Sequence, residues 1–84
     1  MILAGCGGTS ERDRGRVVFR RDCSDCHTLT GHDTHIPGGD LAMGNLSTAE
    51  LQSFVRVMPV RLSRRDVTAV AAYVHAAQKR THTG

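Results

Sequence analysis

The stretch FRRDCSDCHTLTGH, residues 19–32, carries two cysteines separated by two residues and a histidine directly after the second one. These side chains are Cys23, Cys26 and His27. Positions three and four apart share one face of a helix, so on a helix all three would project to the same side of its last turn. Such a set serves three chemistries, which are a redox-active cysteine pair, a zinc site and covalent attachment of a haem.

The size of the chain limits the core that it can bury. It has 84 residues, and its aromatic side chains are Phe19, Phe54 and Tyr73. Domains of this size usually need a disulfide, a metal or a large ligand to be stable. We therefore interpret the cysteine pair as an attachment point, and expect a tether at residues 1–9 followed by one domain at residues 10–84.

The charge of the chain is mildly basic, with a formal value of +3. The basic residues are spread along the sequence and are not interleaved with aromatic side chains. This pattern is typical of a solvated surface that docks a partner with an acidic surface, and it does not indicate nucleic-acid binding.

The first six residues, MILAGC, resemble the lipobox of bacterial lipoproteins through Leu3, Ala4, Gly5 and Cys6. Only five residues precede Cys6, so the segment lacks the basic and apolar regions of a complete signal peptide. The resemblance implies acylation of Cys6, a membrane anchor, and a periplasmic or otherwise extracytoplasmic location.

The hydrophobic periodicity and the helix-start signals predict an all-α fold with three principal helices. The first is expected to run from an N-cap at Ser10 to about Cys26. Residues 46–57 and 62–80 each carry an N-cap serine followed three positions later by an acid, at Ser47 with Glu50 and at Ser63 with Asp66. The glycine-rich segment 29–44, between the first and second predicted helices, is predicted to be a long loop of the kind that is usually functional or wraps something.

One glycine stands inside the first predicted helix. Gly15, Phe19 and Cys23 recur every four residues, and glycine within a helix costs about 1 kcal/mol relative to alanine. We expect the compensation to be a close approach of the last helix near Tyr73, whose apolar stripe consists of Val67, Val70, Ala71 and Val74.

The motif C-x-x-C-H is the attachment signature of a c-type haem. Cys23 and Cys26 would form thioether bonds with the haem vinyl groups, and His27 would bind the iron. Met58 and Met43 are the candidates for the second axial ligand. Met58 is favoured because Pro59 follows it and ends the preceding helix, whereas Met43 is interpreted as a gap-filling apolar residue in the loop.

With these features together, the chain resembles the class I monohaem cytochromes c over about residues 15–77. The resemblance rests on G-x-x-x-F-x-x-x-C-x-x-C-H, on PGGDL, on VMPVRLS and on DVTAVAAYV. It implies the cytochrome c fold, with three to four helices around one covalently bound haem. It also implies one-electron transfer to redox partner proteins, as a free shuttle or as a subunit of a larger complex, without substrate chemistry.

The resemblance also implies roles for residues around the haem. Phe19 and Leu41 would line the haem pocket, and the backbone carbonyl of Pro37 would accept a hydrogen bond from the ring of His27. The family usually has glycine before this proline, whereas here Gly38 follows Pro37.

Three alternatives remain open at this point. A zinc site could use the four ligands Cys23, Cys26, His32 and His35, but would leave His27 without a role. A thioredoxin-like redox pair would need strands, and none is predicted. A five-coordinate haem sensor or peroxidase would need an open iron site, which Met58 argues against.

Overall fold

The computed structural model describes the backbone of residues 3–83 and the side chains of residues 11–82. Three α-helices, α1 (Leu3–Asp22), α2 (Thr48–Arg56) and α3 (Arg64–Thr83), are joined by loops, and a short 3₁₀ helix lies at Leu41–Met43. No strand forms between residues 3 and 83, where the β-type pairing is one isolated bridge between Thr28 and Asp40. The predicted all-α class is therefore confirmed.

The bounds of α1 differ from the prediction at both ends. The helix begins at Leu3, so residues 3–9 are helical and do not form an irregular tether. No proline interrupts residues 3–22, and the helix can therefore extend beyond the predicted N-cap at Ser10. At the other end α1 stops at Asp22. The Cys23 N–H still makes the helical bond to the Phe19 carbonyl, but the Ser24 N–H donates to that same carbonyl, at 2.9 Å, instead of to the next one along the helix.

The crossing of α1 and α3 confirms the expectation for Gly15. A Cβ added at this buried glycine would lie 2.7 Å from the Cβ of Tyr73 and 3.0 Å from the carbonyl carbon of Ala69. Any larger residue would therefore force the two helices apart. Beside this contact the rings of Phe19 and Tyr73 meet with centroids 6.0 Å apart, tilted by 52°.

The two predicted capping boxes have different outcomes. At α2 the box is complete, since Ser47 Oγ accepts from the Glu50 N–H and the Glu50 carboxylate accepts from the Ser47 N–H. At α3 the Ser63 hydroxyl accepts from the Asp66 N–H at 3.1 Å. The Asp66 carboxylate instead accepts from Arg14 on α1 at 2.8 Å, so this acid joins two helices as well as starting one.

The core lies where α3 packs between α1 and α2. The predicted apolar stripe of α3 is buried, with Val67, Val70, Ala71 and Val74 at most 6% exposed. Val70, Ala71 and Val74 of this stripe form one core cluster with Val18 and Phe19 from α1 and Leu51 from α2. One side of this core remains open and forms a cavity.

Candidate functional site

A cavity of about 380 Å³ lies beside the core and is lined mainly by apolar side chains. Its wall includes the end of α1, the turn after it, the end of α2, residues 58–60 and one face of α3. The loop before α2 contributes Asp40, Leu41, Gly44 and Leu46. This volume falls within the range of about 300–1,000 Å³ that is usual for small-molecule and cofactor sites.

Part of the wall is the turn that carries the cysteine pair. Cys23, Cys26 and His27 all line the cavity, although they follow α1 and do not form its last regular turn as predicted. The turn keeps helix-like hydrogen bonds, because the N–H groups of Cys26 and His27 both donate to the Cys23 carbonyl, at 3.2 and 3.0 Å. The three side chains therefore still reach one cavity.

The two thiols are both unpaired, and their exposure differs. Cys26 is exposed and Cys23 is half-buried. Burial raises the pKa of the Cys23 thiol, and the neighbouring Asp22 carboxylate raises it further. Cys23 is accordingly a neutral thiol at neutral pH.

The imidazole of His27 is oriented by a backbone carbonyl. Its Nδ1 lies 3.3 Å from the carbonyl oxygen of Gly39. A carbonyl can only accept, so Nδ1 donates and Nε2 keeps its lone pair for a metal. The prediction named the Pro37 carbonyl, which was wrong by two positions; Pro37 is exposed and does not line the cavity.

Gly38 explains why the turn 36–39 approaches the histidine so closely. Its N–H donates to the Cys26 carbonyl at 2.6 Å, and an added Cβ would lie 2.7 Å from Nδ1 of His27. Only glycine leaves room for this approach. The PGGDL segment thus contacts both the turn that carries Cys26 and the imidazole ring of His27.

Met58 lines the same cavity from the segment between α2 and α3. Its N–H donates to the Val55 carbonyl at 3.1 Å, beyond the last residue of α2, and Pro59 also lines the cavity. Met43 does not line the cavity; the two methionines are similarly exposed, Met58 at 39% and Met43 at 47%. The structure therefore places Met58, and not Met43, in the compartment that holds His27.

The apolar part of the wall includes both predicted pocket residues. Phe19 is buried and Leu41 is half-buried, and both line the cavity. The remaining apolar lining comes from α2 and α3, with Leu51, Phe54, Val55, Val70, Ala71 and Val74. A flat apolar group would find contacts on several sides of this wall.

Sequence reasoning missed Asp40, a buried carboxylate at the cavity edge. It accepts hydrogen bonds from the Thr30 hydroxyl and from four backbone N–H groups, those of Gly31, His32, Asp33 and Ala42. Burial alone would raise the pKa of Asp40, but the bonds from Thr30 and the backbone outweigh it and hold that pKa well below its ordinary value. Asp40 therefore stays ionised and shapes the loop.

Three polar side chains of α3 were also missed, and they hold the far end of the loop. Gln78 is buried; its amide donates to the Leu41 carbonyl at 2.8 Å and accepts from the Leu46 N–H at 2.9 Å. Nδ1 of His75 donates to the Leu46 carbonyl, and Nε2 of His82 donates to that of Gly44. The positions of these three residues on α3 do not indicate, in the sequence, that they bind backbone groups of the distant loop.

The ligand set of the zinc alternative is not assembled. His32 and His35 are exposed loop residues, and His35 bonds to its neighbours Asp33 and Thr34. Within the side chains of residues 11–82, no group of three or more His, Cys, Asp or Glu is placed to hold a metal ion.

Two findings concern the predicted membrane anchor. Cys6 belongs to the first turns of α1, and its side chain lies outside those described. Across the described residues, no helix has the length and apolar character needed to span a bilayer.

Comparison with known proteins gave no family. No family model, curated protein or solved structure matches the chain.

Proposed function

We propose that this protein is a one-electron carrier with one covalently attached c-type haem. Cys23 and Cys26 would hold the haem, and His27 and Met58 would be its axial ligands. The observation that carries the proposal is that the C-x-x-C-H turn and Met58, which are distant in sequence, line one apolar cavity.

The residues present suit a haem in their donor chemistry. Two free thiols and an imidazole with an unshared Nε2 lone pair lie on one turn, and a thioether sulfur lies on another segment of the same cavity. A histidine and a methionine are a known pair of axial haem ligands, and the methionine raises the reduction potential of the iron. The apolar wall would shield part of a bound haem from water, which also affects the potential.

Each residue has a defined task in this proposal. The thiols of Cys23 and Cys26 would each add across a vinyl group, forming one S–C bond while the thiol hydrogen goes to the adjacent carbon. Gly39 orients His27 through the bond to Nδ1. When bound, the haem supplies the one-electron couple of its iron.

The finer fold and the cellular context belong to the same proposal. The three helices, with the motif after α1 and Met58 before α3, support the cytochrome c fold of class I. Acylation of Cys6 would anchor the protein outside the cytoplasm, where thioether attachment takes place in bacteria. Its partners would be redox proteins with acidic docking surfaces, since the chain carries a formal charge of +3.

The first test is an absorption spectrum of protein matured in a periplasm, recorded oxidised and reduced and followed by acidic organic extraction. We expect a sharp reduced α band, a weak methionine–iron band at the red end when oxidised, and haem that resists extraction. Changing both Cys23→Ser and Cys26→Ser should abolish covalent haem. A colourless wild-type protein that binds zinc would overturn the proposal.

Two methionine variants test the axial ligand against a matched control. Met58→Ala should keep the haem attached, lower the potential and open the iron to carbon monoxide. Met43→Ala should also keep the haem attached, but should leave the potential and the carbon monoxide reactivity unchanged, because Met43 does not line the cavity. Carbon monoxide binding by the unaltered protein would instead favour the five-coordinate sensor or peroxidase.

A further inference from the structure

A second depression, of about 460 Å³, lies where α1 crosses α3. It is lined by Arg12, Asp13 and Arg16 of α1 and by Tyr73 and Arg80 of α3. We name Arg12, Arg16 and Arg80 the arginine cluster. The depression shares no lining residue with the apolar cavity, so the two are separate places on the molecule.

The arginine cluster has no internal counter-charge that neutralises it. In the described part of the chain, ion pairs join Arg14 to Asp66 and Arg21 to Asp22, and none involves the cluster. Its three arginines are exposed, and against the single Asp13 they leave a formal charge of +2. These guanidinium groups are therefore available to an external anion.

The placement of the arginines suits a phosphate group. Arg12 and Arg16 are four positions apart and so share one face of α1, while Arg80 reaches the same depression from the last turn of α3. Like charges that converge in this way repel one another unless an anion binds between them. A guanidinium donates in a planar fork that matches phosphate oxygens.

We propose that the arginine cluster binds the phosphate groups of an anionic phospholipid surface. Arg12 lies six positions after Cys6 on α1, which corresponds to about 9 Å along the helix axis. Basic groups bind anionic lipids within about one Debye length, roughly 10 Å, of the membrane. The choice of a lipid over a free phosphate depends on the proposed acylation of Cys6. Anion binding by the arginine cluster is independent of that acylation.

This placement would orient the molecule on the membrane. The arginine cluster would face the lipid, while the separate apolar cavity would remain accessible to proteins. The lipid anchor alone would leave the protein free to rotate about its attachment. Contact through three arginines would restrict that rotation.

The test is cosedimentation of the full chain with vesicles of phosphatidylcholine, with and without phosphatidylglycerol, at low salt. Cys6→Ser removes any acyl chain, and the protein is quantified on a gel, so neither haem content nor acylation affects the result. The triple variant Arg12→Gln, Arg16→Gln, Arg80→Gln should bind anionic vesicles at least about tenfold more weakly. The matched variant Arg61→Gln, Arg64→Gln, Arg65→Gln removes the same charge from exposed positions and should change binding less than twofold.

Each other outcome overturns the assignment. An equal loss of vesicle binding in both triple variants would show a general effect of net charge. Equal binding to vesicles with and without phosphatidylglycerol would show that the arginine cluster does not bind anionic lipid. Saturable binding of inorganic phosphate without vesicle binding would assign the arginine cluster to a free anion. Cluster-dependent binding of polyglutamate in place of vesicles would assign it to an acidic protein. Circular dichroism checks that both variants are folded.

Discussion

The α1–α3 crossing and the loop between His27 and α2 are stabilised by different interactions. At the crossing, Gly15 lets the backbones touch and the rings of Phe19 and Tyr73 pack beside it. In the loop, Leu41 and Leu46 pack against the core, but the buried carboxylate of Asp40 and the buried amide of Gln78 bind its backbone.

This difference determines which changes each region tolerates. A close-packed crossing is sensitive to added volume, since neighbouring atoms must move. A loop held by buried polar groups is sensitive to their removal, because each abandoned N–H or C=O stays desolvated without a partner. The following variants compare the two regions, from the largest expected effect to the smallest.

Asp40→Ala should have the largest effect. The substitution removes the carboxylate that accepts five hydrogen bonds. The donors on residues 30–33 and on Ala42 would then lose this acceptor. We expect a loss of about 3 kcal/mol or more in the free energy of unfolding, measured with urea. Asp33→Ala, which removes one local bond to the His35 N–H, is the control and should cost about 1 kcal/mol or less.

Asp40 should also make stability depend on pH. Its folded-state pKa lies well below the ordinary value of about 4, so its contribution is complete above pH ~4 and is lost as the pH falls toward the folded-state pKa. Urea unfolding between neutral pH and pH ~2 should show this decline in the wild type and a smaller one in Asp40→Ala. Equal slopes would contradict the assigned role.

Gln78→Leu should lower the free energy of unfolding by about 2 kcal/mol. Leucine fills a similar volume but leaves the Leu41 carbonyl and the Leu46 N–H without a hydrogen-bond partner. Gln52→Leu on α2, which loses one exposed contact with Arg56, should change stability by no more than about 0.5 kcal/mol. Similar effects at both positions would show that the loop does not depend on this amide.

Gly15→Ala tests the crossing. The new methyl would lie 2.7 Å from Tyr73 Cβ, and overpacking of this kind costs about 1–3 kcal/mol, against a gain of about 1 kcal/mol in helix propensity. We expect a net loss of about 1 kcal/mol and an altered near-UV signal from Tyr73. Arg16→Ala, the exposed neighbour, serves as the control; a stabilised Gly15→Ala would show that the crossing can relax.

Arg14→Met should have the smallest effect, at most about 1 kcal/mol. The Arg14–Asp66 pair at 2.8 Å is partly exposed, and the Nε of Arg14 is buried without a hydrogen-bond partner. The effect should shrink further as salt is added to the unfolding buffer. A loss comparable to that of Asp40→Ala would make the ion pair, rather than packing, the principal support of the crossing.

Local signals in the sequence predicted much of the helical framework. Ser47 with Glu50 marks the start of α2 by an interaction within one turn, and Gly15 points to a close helix contact because glycine is otherwise unfavourable there. The cavity positions of Cys23, His27 and Met58 were also predicted, although their role in binding a haem stays a prediction.

The misses share a physical cause. An aspartate in a glycine-rich loop usually indicates an exposed turn, so nothing local reveals that Asp40 is buried by the surrounding chain. Gln78 bonds to residues 32 and 37 positions away, which no local pattern encodes. The carbonyl that binds His27 belongs to Gly39 and not to Pro37. Which carbonyl faces the ring depends on the register of the turn, and a shift of one or two residues changes it.

The bonds of Asp40 also have a consequence for the order of folding. They join residues only 2 to 10 positions apart, whereas those of Gln78 span 32 and 37. Short loops close faster and at lower entropic cost than long ones. The segment around His27 can therefore take shape before α3 docks, and the helix that completes the cavity then packs onto a loop that is already formed.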